Sequence, residues 1–184
     1  MLDRMSLSNF KSLGDNLAIL VIASGEDLED NSTDIVKELM NKDTSCLYIT
    51  LNQPYSRMLH LLKKKGIDTK KVFFIDCITK SSSGNAEEND NVYYIDAPEN
   101  LTDLDISINE GIESIDGKKI LFFDALSTLM IYNKPGPFAK FVHSVMTKIK
   151  SKDIIGVFII VEGEIDDEML SQIEQFSDKS INLT

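Results

Sequence analysis

The sequence predicts an α/β fold: a three-layer α/β/α domain built on a twisted, mostly parallel sheet. Two observations carry this. Apolar, strand-like runs alternate with amphipathic helical segments along nearly the whole chain. The clearest of those runs, 17–23, is continuously aliphatic and β-branched, the pattern of a strand buried on both faces, and the alternation of strands with helices calls for right-handed crossovers.

Leu17 to Ala23, closed by Ser24 and Gly25, is the first predicted strand. Asn31 or Ser32 is placed to cap a helix whose Ile35, Val36, Leu39 and Met40 recur at spacings of three and four. Cys46 to Leu51 predicts a second strand. Tyr55 to Lys65 predicts a helix turning Met58, Leu61 and Leu62 inward, with Gly66 placed to end it. Val72 to Ile75 predicts a third strand, closed by Asp76. From Thr79 to Asn91 the only apolar residue is Ala86 among Ser, Asn, Gly and acids, which predicts an exposed loop. A short edge strand is expected at Val92 to Ile95, then a helix capped by Asn100 and running to about Ile115, with Leu101, Leu104, Ile108 and Ile112 on one stripe. Ile120 to Asp124 is the next buried strand. Pro135-Gly136-Pro137 is expected to break the chain before a helix from about Phe138 to Lys150. Ile154 to Val161 predicts a strand, Glu168 to Gln175 a short helix and Lys179 to Leu183 a last strand.

The length, 184 residues, fits one domain able to bury roughly 70% of its unfolded surface, with 1–16 as an N-terminal extension. Apolar residues make up 42% and charged ones 27%, with 9 Gly and 4 Pro, the balance of a globular protein. The net charge of −11, from 30 acidic and 19 basic residues, repels a phosphate backbone and argues against direct nucleic-acid binding. Cys46 and Cys77 lack the spacing of a zinc site or disulfide framework and read as buried small hydrophobes. Met1 to Lys11 lacks the apolar core of a signal peptide, and no run approaches the ~20 residues of a membrane span, so the expected compartment is the cytoplasm, without membrane association.

Gly25-Glu26-Asp27-Leu28-Glu29-Asp30-Asn31-Ser32 follows the first strand with the spacing of a phosphate-binding loop, G-x-x-x-x-G-K-[ST]. Such a loop offers backbone N–H groups through a glycine-permitted curve, and its lysine reaches the β and γ phosphates. Here Asp30 stands at the second glycine and Asn31 at the lysine, and with Glu26, Asp27 and Glu29 four carboxylates are expected to line the turn. Each like-charge contact at ~4 Å costs about 1 kcal/mol in water and about 4 near a protein surface. Triphosphate binding in the usual manner is therefore not expected. Ser32 and Thr33 follow at the hydroxyl position, and Asp124 closes an apolar strand as does the acid that orients magnesium in nucleotide hydrolases. Gly25, Asp30, Asn31, Ser32, Thr33 and Asp124 thus read as a degenerate nucleotide site, with no catalytic residue, cofactor or metal expected. ATP and magnesium enter only under an alternative in which Ser32 or Thr33 still shares the ion with Asp124. Restoring the signature through Asp30→Gly with Asn31→Lys is expected to raise nucleotide affinity.

The second strand, Leu47-Tyr48-Ile49-Thr50-Leu51, runs into Asn52-Gln53-Pro54, two uncharged amides at a strand end. Here the chain resembles the KaiC and RadA branch of the RecA-like ATPases, in its archaeal form. In that branch this strand leads into one or two glutamates that activate the attacking water, then a helix and a glycine-isoleucine-aspartate-like turn. Tyr48-Ile49-Thr50 and Leu61 through Gly66-Ile67-Asp68 fit, whereas an amide at Asn52 or Gln53 cannot accept the proton of water. Lys119 through Leu129 resembles that family's acid strand and serine-containing turn, and Asn100 to Leu104 fits its archaeal members. The resemblance runs from about Leu17 to Leu183. It implies a P-loop NTPase-like sheet with the loop strand near its middle and, given the replaced residues, a pseudo-ATPase acting as a regulatory or scaffolding protein-interaction subunit. An intact RecA- or KaiC-like paralogue is the partner this suggests, or a second copy in a homo-oligomer, since relatives associate edge to edge. The Thr79 to Asn91 loop and the Met130 to Phe138 segment are the candidate contact surfaces.

A nucleotide-binding switch or weak ATPase stands as the alternative. A lesser one is a receiver-like signalling domain using Glu26 or Asp27 with Asp76, but it needs a lysine where Val161-Glu162-Gly163-Glu164 stands. His60 and His143 lack partners at ligand spacing, and Ser127 lacks a neighbouring histidine. The lysines at 63–65 and 148–152 sit at helix C-termini, where the macrodipole favours cations.

Overall fold

The structure is a computed structural model that describes residues 10, 13–83, 86 and 89–184. Seven strands, β1 (Leu17–Ala23), β2 (Thr44–Thr50), β3 (Val72–Asp76), β4 (Val92–Tyr94), β5 (Lys118–Asp124), β6 (Ile154–Val161) and β7 (Lys179–Asn182), form one sheet in the order β4-β3-β2-β5-β6-β1-β7. Every pairing is parallel, so each strand ends on the same edge. Between them run α1 (Leu28–Leu39), α2 (Tyr55–Lys64), α3 (Thr79–Ser83), α4 (Leu101–Ser114), α5 (Leu129–Tyr132), α6 (Pro135–Lys150) and α7 (Asp167–Phe176).

The three-layer α/β/α arrangement follows from strand periodicity. Along β1, Ala18 and Leu20 face one apolar layer, while Ile19, Val21 and Ala23 face the other. Along β5 the same division separates Leu121 and Phe123 from Ile120 and Phe122. One layer is closed by α4, α6 and α7 through Leu104, Ile108, Phe138, Val142, Met169 and Ile173. The opposite layer is closed by α1 and α2 through Ile35, Val36, Leu39, Tyr55, Met58 and Leu62. Two glycines let these layers close. A Cβ on Gly111 of α4 would come within 2.8 Å of Leu47, and one on Gly156 of β6 within 2.4 Å of Ile149 Cδ1. Gly66 ends α2 at φ +79, the left-handed backbone that favours glycine.

Several expectations change. The strand β1 is next to the sheet edge, not near the middle, because the sheet extends from it through β6, β5 and β2 to β3 and β4. The helix α1 starts at Leu28, ahead of the expected cap at Asn31 or Ser32; Asp27 occupies the cap position without a side-chain cap bond, and Glu29 and Asp30 suit the positive first turn. Pro135 and Pro137 do not precede α6 but lie in its first turn, where a missing N–H costs no helical bond. Phe138, placed at a candidate contact surface, is fully buried. Thr79 opens a short helix instead of a loop, and residues 84, 85, 87 and 88 of the expected loop lie outside the described residues, as do 1–9, 11 and 12 of the expected extension. Among the described residues no helix is long and apolar enough to cross a membrane.

Candidate functional site

In an open parallel sheet the carboxyl edge is where ligands bind, and there the sequence places its candidate residues. Between β1 and α1 only residues 24–27 remain to make a turn. Gly25 does not use left-handed backbone there, and a Cβ on it would make only an ordinary 3.5 Å contact with Val161. The glycine-dependent curve of a phosphate loop is therefore missing: helix α1 has absorbed Asp30, Asn31 and Ser32 into regular i→i−4 structure. Nor do four carboxylates line one turn. Glu26 and Asp27 are exposed in it, whereas Glu29 receives Arg57 in a bidentate pair at 2.9 and 3.0 Å, and Asp30 meets Lys65 at 3.1 Å. Arg57 and Lys65 both belong to the α2 segment, so these acids tie α1 to its neighbour. Thr33 is buried and its hydroxyl donates to the Glu29 carbonyl at 2.8 Å, inside its own helix.

Of the predicted residues, the structure brings together Ser32 and Asp124, and it adds one that the sequence reading missed. The Tyr48 hydroxyl donates to Asp124 Oδ2. Parallel register sets this up: Tyr48 lies opposite Phe122 and Thr50 opposite Asp124, so Tyr48 and Asp124 point into the same layer two positions apart. The Tyr48 ring is held by stacking on Phe122 at 5.0 Å and by Phe74 at 5.5 Å. Burial, reinforced by the Asp124 charge, keeps the Tyr48 hydroxyl well above its ordinary pKa, so it remains a proton donor. Burial also pushes the Asp124 carboxyl up to about 6, against the hydrogen bond from Tyr48 and the nearness of Ser32, while the Glu29 charge adds to the rise. Ser32 Oγ lies close enough to favour the carboxylate, yet neither it nor Asp124 Oδ1 completes a well-formed hydrogen bond. The Asp124–Ala125 peptide bond is cis.

The other acids and amides have structural partners. Asp76, fully buried, accepts from Tyr55 N at 2.7 Å, Ile78 N and Thr79 N at 2.8 Å and Thr79 Oγ1 at 2.6 Å, fastening the start of α2 to the turn before α3. Three strands separate β1 from β3, which sets these two strands about 19 Å apart across the sheet and weighs against a receiver-like pairing of Glu26 or Asp27 with Asp76. Asn52 accepts from Thr128 Oγ1 at 2.5 Å. Ser127 donates to Glu164 Oε2 at 2.6 Å and accepts from Val161 N at 3.2 Å. Cys46 and Cys77 are buried free thiols whose pKa burial drives far upward, which makes them inert. His60 is exposed, and His143 packs edge-on against Phe176 at 4.7 Å. Among the described residues no group of three or more His, Cys, Asp or Glu is arranged to hold a metal ion.

At the strand ends Asp124 Oδ2 is capped by Tyr48, Asp124 Oδ1 is buried, and the helix after β1 begins at Leu28. A family model described as a family of unknown function, DUF7504, matches residues 18–183. The chain belongs to this family. A solved structure, that of Project ID PH0250 from Pyrococcus horikoshii OT3, is similar at TM-score 0.62 and 14% identity, over 98% of this chain and 88% of that one, which bears on the fold alone. No curated protein matches the chain. The match to DUF7504 takes in β1 from Ala18, both buried layers and the Ser32–Tyr48–Asp124 cluster.

Proposed function

We propose that this DUF7504 protein is a non-catalytic, RecA- or KaiC-like pseudo-ATPase domain that serves as a regulatory or scaffolding subunit for another protein. The observation that carries the reading is the Tyr48 hydroxyl on Asp124. In nucleotide hydrolases a hydroxyl and an acid at this edge of the sheet share a magnesium ion. Here Ser32 and Asp124 still lie together, which supports descent from such a site, while the ion's place on the carboxylate is taken by a tyrosine. Asn52 engaged by Thr128, in place of a general base, supports loss of hydrolysis.

Isothermal titration with ATP, ADP and GTP in magnesium tests the reading, and no binding below millimolar concentration is the expected result. Asp30→Gly with Asn31→Lys is now expected to leave that result unchanged, in contrast to the expectation from sequence, because both positions lie inside α1 and Asp124 stays capped. Micromolar binding by the unaltered protein would favour the nucleotide-switch alternative, and turnover would make the protein an enzyme.

A further inference from the structure

The carboxyl edge of the sheet carries an apolar feature that the domain itself does not use. Helix α5 buries Leu129 but exposes Ile131 at 73% and Tyr132 at 44%. The segment is pinned in this presentation, because Asn133 Nδ2 donates to Leu129 O at 3.0 Å and to Pro98 O at 3.4 Å. Pro135, three residues on from Tyr132 and so within about 11 Å along the chain, opens a groove of about 570 Å³ between α6 and α7. Ala139, Met169 and Phe176 contribute its apolar lining. Knob and groove are thus close along the chain.

Charge identifies what such a surface accepts. The turn from β6 into α7, residues 162–168, holds Glu162, Glu164, Asp166, Asp167 and Glu168 and no basic residue. Ser127 joins this turn to the base of α5 through Glu164, and Asp166 and Glu168 line the groove itself. Glu162 donates its backbone N–H to Ala23 O at 2.9 Å, which joins this turn to the end of β1, three and four residues before the exposed Glu26 and Asp27. None of Glu26, Asp27, Glu162, Asp167 or Glu168 has an ion-pair partner among the described residues. Lys134 borders α5 and Lys140 lines the groove, against the five acids of the 162–168 turn.

We propose that Ile131, Tyr132 and the α6–α7 groove form a docking surface for a basic amphipathic segment of a partner protein, its apolar side chains seated on the knob and groove and its Lys or Arg residues facing the 162–168 acids. The partner segment is recognised by the same two terms that govern helix-in-groove complexes, apolar anchors for affinity and complementary charge for approach and orientation. A second copy of this chain is the poorer occupant, because a two-fold contact through this face would set each acidic turn against itself or its equivalent. The inference rests on the proposed role as a protein-interaction subunit and specifies the chemistry of its partner.

Fluorescence anisotropy with a labelled helical leucine–lysine peptide tests it, using the leucine–glutamate counterpart and oligolysine as comparison probes. The expected result is saturable binding of the leucine–lysine peptide that strengthens as salt is lowered, weaker binding of oligolysine and none of the acidic peptide. Ile131→Ser with Tyr132→Ser, and separately Glu162→Gln with Glu168→Gln, should each weaken binding about fivefold or more. Asp116→Asn, an exposed acid in the turn at the opposite edge of the sheet, should leave it unchanged. Equal binding to all variants, equal binding of oligolysine, or no binding overturns the proposal. So does a dimer in sedimentation equilibrium that Ile131→Ser with Tyr132→Ser dissolves. Failure of the peptide with magnesium ATP still silent in the titration removes this surface and leaves the non-catalytic reading standing; nucleotide binding removes that reading whatever the peptide does.

Discussion

At Asp124 a single hydroxyl decides what the carboxylate can do. An acid at the end of a buried strand can coordinate an ion, accept a proton from water or serve as an internal acceptor, and Tyr48 commits it to the last of these. The neighbouring loop makes the same point through Gly25. In a working phosphate loop a glycine is needed for backbone shape, whereas Gly25 adopts no left-handed φ and has room for a methyl group. Gly25→Ala should therefore change unfolding free energy by no more than about 0.5 kcal/mol in urea titration; a loss of about 2 kcal/mol would show that the turn requires glycine after all. Asp124 and Ser32 are legible in the sequence as an acid closing a strand and a hydroxyl after a loop. The Tyr48 contact is not, because it joins residues 76 apart in sequence and depends on the β2–β5 register. A trace was present even so: a tyrosine within a buried strand needs a partner for its hydroxyl.

Elements were readable where one signal acted alone and misread where two competed. Strands β1 and β6 stand where their short apolar runs place them, since seven or eight residues rich in Ile and Val between turn signals suit a doubly buried strand. The start of α6 is hidden by Pro135-Gly136-Pro137, which reads as a break unless the prolines are assigned to the first turn. The start of α1 is masked by the spacing of a phosphate loop, although Glu29 and Asp30 are equally good first-turn residues. Helix α5 spans only four residues, too few for a periodic signal. The sandwich of β6 between helix layers supplies an element-scale prediction. In Gly156→Ala the new methyl group would meet Ile149 Cδ1 at 2.4 Å and Phe158 Cε2 at 2.9 Å, so α6 must shift or side chains must leave their rotamers. Such overpacking costs about 1–3 kcal/mol and should appear as a lower urea midpoint with unchanged slope; an unchanged midpoint would mean that α6 is not seated against β6 at this position.

The molecule as a whole combines a fully parallel, doubly covered sheet with a carboxyl edge rich in acids. Its central feature is a buried acid that costs stability when charged. In the unfolded chain Asp124 titrates near its ordinary 3.8, and in the folded protein near about 6. Between those values the folded state holds a proton that the unfolded state has released, so this group's contribution falls as pH rises from about 4 to 6 and is level above. The difference corresponds to about 3 kcal/mol as an upper figure. Asp124→Asn removes the charge while its carbonyl still accepts from Tyr48 and its amide faces the unpartnered Ser32 oxygen. The most direct measurement is the unfolding free energy of the unaltered protein and of Asp124→Asn across pH 4 to 8. A variant more stable than the parent above pH 6, by up to about 3 kcal/mol, with the advantage vanishing toward pH 4, is the result predicted for a sealed structural acid. A variant less stable than the parent at pH 7 to 8, or a difference that does not vary with pH, would contradict it.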